Sequence, residues 1–160
     1  DQEKRLLSLI IDRGRAIVLV VNKWDLVTGG SGRGDEYTRR LEEEIPFASF
    51  VPHVFTSALT GRNVRKVLQV VNRVHENLFR RIPTSELNRF YDEVVQRHPP
   101  QGGARVPKIR YLVQAQVNPP VILLFAGGKG KIPLNYERFL LREIRERYDY
   151  AGVPVLLIRR

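Results

Sequence analysis

At 160 residues with 42% apolar content, the chain can build one ordinary domain or two small ones and is too apolar to be a disordered tail. It has no cysteine, which excludes disulfide, zinc-thiolate and thiol chemistry, and no apolar stretch approaches the ~20 residues of a membrane span. A net charge of +10 favours an anionic partner, nucleic acid first, with solubility or a thermophile-like composition as the plain alternative.

Both halves are basic: residues 1–82 carry +4 and residues 83–160 carry +6. Arginine outnumbers lysine, which suits phosphate forks but also follows from GC-rich coding. The opening residues Asp1-Gln2-Glu3-Lys4-Arg5 have no signal-peptide shape and read as the middle of a domain. With no methionine in the sequence, the expectation is a fragment of a longer protein.

Leu6, Leu7, Ile10 and Ile11 give helical spacing before a turn at Gly14. Ala16–Val21 is an unbroken apolar run of strand length, suited to a parallel strand buried on both faces. Thr28–Asp35 (TGGSGRGD) reads as a flexible loop, followed by a short helix over Glu36–Ile45 and a strand over His53–Thr56. Val64, Val67, Leu68, Val71 and Leu78 mark a long amphipathic helix. This rhythm is that of a doubly wound α/β domain, but two strands alone make no stable open sheet. The remainder is expected to lie upstream or to have been lost.

Ile82-Pro83-Thr84 is the expected boundary, with Thr84 able to cap the next helix. Leu87, Phe90, Tyr91, Val94 and Val95 then repeat at helical spacing, and His98–Ala104 reads as a loop. Lys108–Val117 alternates, with Ile109, Tyr111, Val113, Ala115 and Val117 on one face. Lys108, Arg110, Leu112, Gln114 and Gln116 fall on the other. Tyr111, Val113 and Val117 are assigned to the core rather than to a base-stacking platform. A second strand, Val121–Phe125, follows Pro119-Pro120; then come a glycine-rich turn at 127–130, a helix with Tyr136, Phe139, Leu140 and Ile144, and a last strand, Val153–Ile158. The expected fold class is α/β followed by α+β, the second part in α-β-β-α-β order.

The chemistry concentrates at Asn22-Lys23-Trp24-Asp25, immediately after the first strand. An ionised Asp25 can accept two hydrogen bonds from adjacent N–H groups, which guanine presents and adenine does not. Charge-assisted bonds of ~1.5–3 kcal/mol each give strong discrimination. Lys23 can lay its stem across the base, and Asn22 can bond both base and a neighbouring loop. Ser57-Ala58-Leu59 follows the second strand, so a backbone N–H at Ala58 can meet the guanine carbonyl at the same sheet end. The plain alternative is a turn at Asn22–Asp25 and a helix entry at Ser57.

Asn22, Lys23 and Asp25 with Ser57, Ala58 and Leu59 resemble the two base-recognition motifs of Ras-like GTPases. The whole chain resembles the end of the Der (EngA) family: residues 1–82 the C-terminal portion of its second G domain, residues 83–160 its KH-like domain. Lys108–Tyr111, Pro119-Pro120, Tyr136–Leu140 and Gly152–Pro154 stand at family-like positions. The resemblance implies a partial P-loop-type GTPase domain and a cytoplasmic, ribosome-associated factor that hydrolyses GTP to GDP during large-subunit assembly. It implies contact with ribosomal RNA, Mg²⁺ bound with GTP in the intact protein, and a first G domain of the same polypeptide as a partner. With no apolar stretch of spanning length, no membrane partner is expected.

What the chain lacks is equally specific. No GxxxxGK[ST] phosphate loop is present, and TGGSGRGD has no Lys-Ser/Thr pair. The switch segments and the magnesium-associated aspartate are absent too. Phosphoryl transfer is mostly positioning and charge stabilisation around the phosphates, so the chain alone is expected neither to bind GTP tightly nor to hydrolyse it. No catalytic residue and no metal ligand is assigned within it.

Candidate RNA contacts are Lys108 and Arg110 on the first strand of the second half, Lys129 and Lys131 beside the glycine turn, and Arg138, Arg142 and Arg145 along the last helix. A solvated face with local Glu137 and Glu146 pairing is the alternative for the arginine stripe. Gly127-Gly128-Lys129-Gly130 spells GxxG, but its place between strand and helix reads as a turn, and the family resemblance implies that loop is not used to clamp RNA. His53, His75 and His98 have no metal-like spacing, and Ser57 has no sequence-evident base for a nucleophile role. A non-enzymatic RNA-binding module and a protein-interaction domain are the competing classes.

Overall fold

The computed structural model describes residues 2–27, 33–100, 107–128 and 130–160. The chain forms two compact units, one of residues 1–77 with 151–153 and one of residues 78–150 with 154–160. Most of the Thr28–Asp35 loop and of the His98–Ala104 loop lies outside the described residues, as does Lys129.

In the first unit, helix α1 (Gln2–Asp12) leads through Gly14 to strand β1 (Leu19–Val21). Helix α2 (Arg33–Glu44) begins three residues before the expected Glu36, with Asp35 and Glu36 placed in its first turn. Strand β2 (His53–Phe55) pairs with β1 in parallel, Leu19 opposite His53 and Val21 opposite Phe55. Helix α3 (Val64–Leu78) follows. The core gathers Leu7, Ile17, Ala48 and Val51, with Ile10, Ile11, Leu19, Ile45 and Phe50 packed against it.

Two expectations fail in this unit for one reason. The strand read as buried on both faces leaves Val20 exposed, and α3 presents Val64, Leu68 and Val71 to solvent along one stripe. Only Val74 and Asn77 of α3 are buried. Two three-residue strands cannot cover both the helix and their own second face.

Residues 151–153 close the unit beside β1: Ile17 N–H donates to the Gly152 carbonyl at 2.8 Å and Gly152 N–H to that of Phe50 at 2.7 Å. Gly152 adopts φ 75°, and a Cβ there would come 2.6 Å from Val74 Cγ2 and 2.7 Å from the Ile17 carbonyl oxygen. Glycine is required on both counts.

The second unit runs α4 (Thr84–Arg97), β3 (Lys108–Gln116), β4 (Val121–Gly127), α5 (Leu134–Tyr148) and β5 (Leu156–Arg159), the expected α-β-β-α-β order. Pro83, not Thr84, occupies the N-cap of α4, and no side-chain cap bond forms there. The sheet order is β3-β4-β5, antiparallel then parallel. Leu87, Val94, Leu112, Ile122, Leu124, Leu140 and Ile144 are fully buried, each contributing ~1.5–3 kcal/mol of transfer free energy.

The alternation read along β3 is broken. Ile109 faces Ala126 and Tyr111 faces Phe125, so Arg110 is an extra residue, a bulge that flips the faces beyond it. Leu112 and Gln114 turn inward and are fully buried, while Tyr111, assigned to the core, is 43% exposed. Gln114, expected beside Lys108 and Arg110, instead accepts from Ile82 N–H at 2.7 Å and donates to the Arg80 carbonyl at 2.9 Å. Tyr136 is buried as expected. Among the described residues, no helix is long and apolar enough to cross a membrane.

Candidate nucleotide-base site

The site lies at the C-terminal ends of β1 and β2, where a parallel pair directs its loops to one side. Thr56 N–H donates to the Val21 carbonyl at 2.8 Å, and Trp24 N–H to the Thr56 carbonyl at 2.9 Å, so the parallel ladder continues past both strands. Between them Asn22 and Lys23 must turn. Lys23 takes a left-handed conformation, φ 61° and ψ 34°, and a 3₁₀ turn over Trp24–Leu26 follows.

Trp24 anchors that turn. It is buried, stacks on Phe55 with ring centroids 4.1 Å apart, and meets the edge of Tyr37 at 5.0 Å. Such aromatic contacts stabilise by ~0.5–1.5 kcal/mol beyond burial and offset the cost of holding a non-glycine residue left-handed. Tyr37 comes from α2 and Phe55 from β2, so two elements fix one indole. His53 supports the same wall, its ring edge-on to Phe55 and its Nε2 2.9 Å from Thr38 Oγ1.

The two loops are joined by side chains. Asn22 Oδ1 accepts from Ala58 N–H at 3.1 Å and from the Thr56 hydroxyl at 3.5 Å. The Ser57 hydroxyl donates to Asp25 Oδ1 and accepts from Thr60 N–H at 3.2 Å. Ser57 and Thr56 are buried, whereas Asn22, Lys23, Asp25, Ala58 and Leu59 are exposed, Leu59 at 85%. Asn63, itself left-handed at φ 57°, donates its amide to the Phe55 carbonyl at 2.9 Å and closes the second loop.

All six residues read as guanine-contacting therefore belong to one cluster at one sheet end. A carboxylate steered by a hydroxyl, beside an exposed lysine stem and an exposed N–H-bearing loop, can receive a flat heterocycle with adjacent donors. Thr56 and Trp24 went unassigned in the sequence. A lone tryptophan inside a polar tetrapeptide was the available signal for the second. Ser57 finds a carboxylate rather than a base, so its hydroxyl serves to orient Asp25.

The candidate RNA residues are not brought together in one place. Lys108 and Arg110 are exposed at the start of β3. Lys131 is exposed before α5, and Lys129 lies outside the described residues. Arg138 is exposed. Arg142 sits 3.8 Å from Glu143 and 3.9 Å from Glu146, with its guanidinium 5.5 Å from the Phe139 ring. Arg145 is half-buried, and desolvation pulls its guanidinium down to about 10. Among the described residues, no three His, Asp or Glu side chains converge as a metal site would require.

Residues 81–160 match the family model described as the KH-domain-like, C-terminal part of EngA bacterial GTPase enzymes. Across the chain, similarity extends to proteins named GTPase Der. The Gemmatimonas aurantiaca protein is 37% identical over 162 residues, covering 100% of this chain and 37% of its own length. The Chloroflexus aggregans protein is 37% identical over 161 residues, covering 99% and 36%. The Dinoroseobacter shibae protein is 38% identical over 162 residues, covering 100% and 33%. The chain thus spans about a third of the length of these curated relatives.

Proposed function

The chain belongs to the EngA (Der) family of bacterial GTPases and carries its C-terminal KH-like domain, and from that premise we propose that it is the guanine-selecting and RNA-contacting part of a GTP-hydrolysing ribosome-assembly factor. Residues 1–82 act as the C-terminal portion of a Ras-like GTPase domain. Residues 83–160 act as the RNA-contacting module on the large ribosomal subunit. The observation that carries the reading is the bond from Ala58 N–H to Asn22 Oδ1, which ties the two loops into one base-binding edge.

In this reading Asp25 accepts from the guanine ring N–H and exocyclic amine. Ser57 holds that carboxylate in place before the base arrives. The Ala58 N–H, read from the sequence as the donor to the guanine carbonyl, is engaged by Asn22 Oδ1 at 3.1 Å and ties the loops together instead, while the Lys23 stem covers the ring face. Asn22 sets the distance between the two loops. This edge would select the base, while the phosphates and the Mg²⁺ that would neutralise their charge would be held by other residues of the intact protein. No residue of this chain is assigned as a ligand of that ion.

The division has a direct test. The 160-residue chain, purified and incubated with GTP and Mg²⁺, is expected to release no phosphate above a protein-free control, while the intact gene product turns GTP over. Measurable turnover by the chain alone contradicts the proposal.

A further inference from the structure

The bulge at Arg110 turns an aromatic residue outward and thereby builds a surface. On the open face of the second sheet, Tyr111 stacks on Phe125 with ring centroids 4.4 Å apart and planes 12° from parallel. The backbone of Arg160 bonds to Leu124 and Ala126, on either side of Phe125, which continues the same row onto the third strand. The next row on this face is Val113, Leu123 and Ile158. The Arg110 guanidinium lies over Gly127, where an added Cβ would come 3.0 Å from its Nε and Nη2. Lys108 pairs with that same glycine. A stacked aromatic pair thus has Lys108 and Arg110 at one end of its strand and Arg160 across the sheet.

The charges of this unit are segregated. All seven carboxylates of residues 83–160 lie on α4, on α5 or at Asp149 just after it. Two arginines of those helices have acidic neighbours: Arg97 approaches Glu143 at 3.6 Å, and Arg142 approaches Glu143 and Glu146. The strands carry Lys108, Arg110 and Arg159, with Arg160 directly after β5, and no Asp or Glu. The strands therefore carry positive charge with no carboxylate of their own, beside the exposed Tyr111 and half-buried Phe125 rings.

We infer that this sheet face is a stacking platform for single-stranded RNA, with unpaired bases on Tyr111 and Phe125 and phosphates on Lys108, Arg110 and Arg160. The inference rests on the RNA-contacting role proposed above and locates it on the sheet rather than on the α5 arginine stripe. Aromatic faces accept any base, so the platform favours unpaired over duplex RNA and shows little sequence preference. An apolar face lacking carboxylates, yet rimmed by cations, fits a polyanion with exposed rings better than another protein surface.

The test uses the 160-residue chain and two labelled RNAs, a single strand of about ten nucleotides and a duplex of equal length. Tyr111→Leu keeps the face apolar and filled but removes the ring. It is expected to weaken single-strand binding roughly 5- to 150-fold, while Tyr111→Phe binds as wild type. Arg110→Gln is expected to reduce the slope of log affinity against log salt by roughly 0.7. Photo-crosslinking of a thiouridine-containing strand to wild-type chain is expected to label the β3 or β4 peptide, a readout independent of any variant's folding. Wild-type affinity in Tyr111→Leu, equal binding of duplex, or loss of binding in Arg138→Gln/Arg142→Gln alone overturns the platform while leaving the RNA role standing. A chain that binds neither RNA overturns both.

Discussion

At the scale of single residues, the base site is a set of small constraints that depend on one another. Lys23 can stay left-handed because Trp24, the residue after it, is held by Phe55 and Tyr37. Asn22 spends its carbonyl oxygen on the opposite loop, and Ser57 spends its hydroxyl on Asp25. Gly152 is a constraint of another kind, since both its φ and its surroundings exclude a side chain. Gly152→Ala is expected to destabilise the first unit by about 2–4 kcal/mol, combining overpacking with a left-handed alanine, measured as a shift in urea midpoint. Tyr150 gives a pH signature. Burial pushes its hydroxyl up to about 12, partly countered by the Arg80 charge and a bond with Gln114. The unfolded chain ionises this phenol near 10 and the folded chain does not, so its contribution is full below pH 10 and is lost as pH rises towards 12. Thermal melts of Tyr150→Phe should fall less steeply across that window than those of the wild type.

At the scale of elements, the sequence exposed the periods but not their interruptions. Helices α3, α4 and α5 were legible because Val, Leu and Ile recur every three or four residues, and that spacing survives any tertiary context. Strand β3 was legible as a strand, yet its faces were misread beyond Ile109. A bulge adds one residue without changing composition, and nothing in Lys108–Val117 marks Arg110 as the extra one. The cost of that flip is visible in Gln114, a polar residue turned inward and then satisfied by Ile82 and Arg80. Edge protection was equally hidden. Asn88 of α4 donates to the Leu112 carbonyl at 2.9 Å and accepts from Leu112 N–H at 2.8 Å, as a neighbouring strand would. Asn88→Ala orphans both groups and is expected to cost about 1–3 kcal/mol in chemical denaturation. Faster amide exchange at Leu112 than at Leu124 would locate the loss. The clustering of Asn22–Asp25 with Ser57–Leu59, by contrast, was readable because both segments directly follow strands that pair in parallel, which sends their loops to one side.

At the scale of the whole molecule, the chain spans about a third of its relatives' length and holds the candidate base site in one unit and a basic sheet in the other. The exposed stripe Val64, Leu68 and Val71, with Val20 on β1, is the apolar surface that two short strands leave uncovered. The central claim is that Asp25 selects guanine, and one substitution addresses it. The intact gene product and its Asp25→Asn variant are titrated with fluorescent GDP and xanthosine diphosphate. An amide at this position donates to the xanthine carbonyl where the carboxylate accepted from the guanine amine. The expected result is a loss of GDP affinity of roughly 10²-fold or more in Asp25→Asn, with xanthosine diphosphate becoming the preferred ligand. An unchanged preference for GDP would contradict the account.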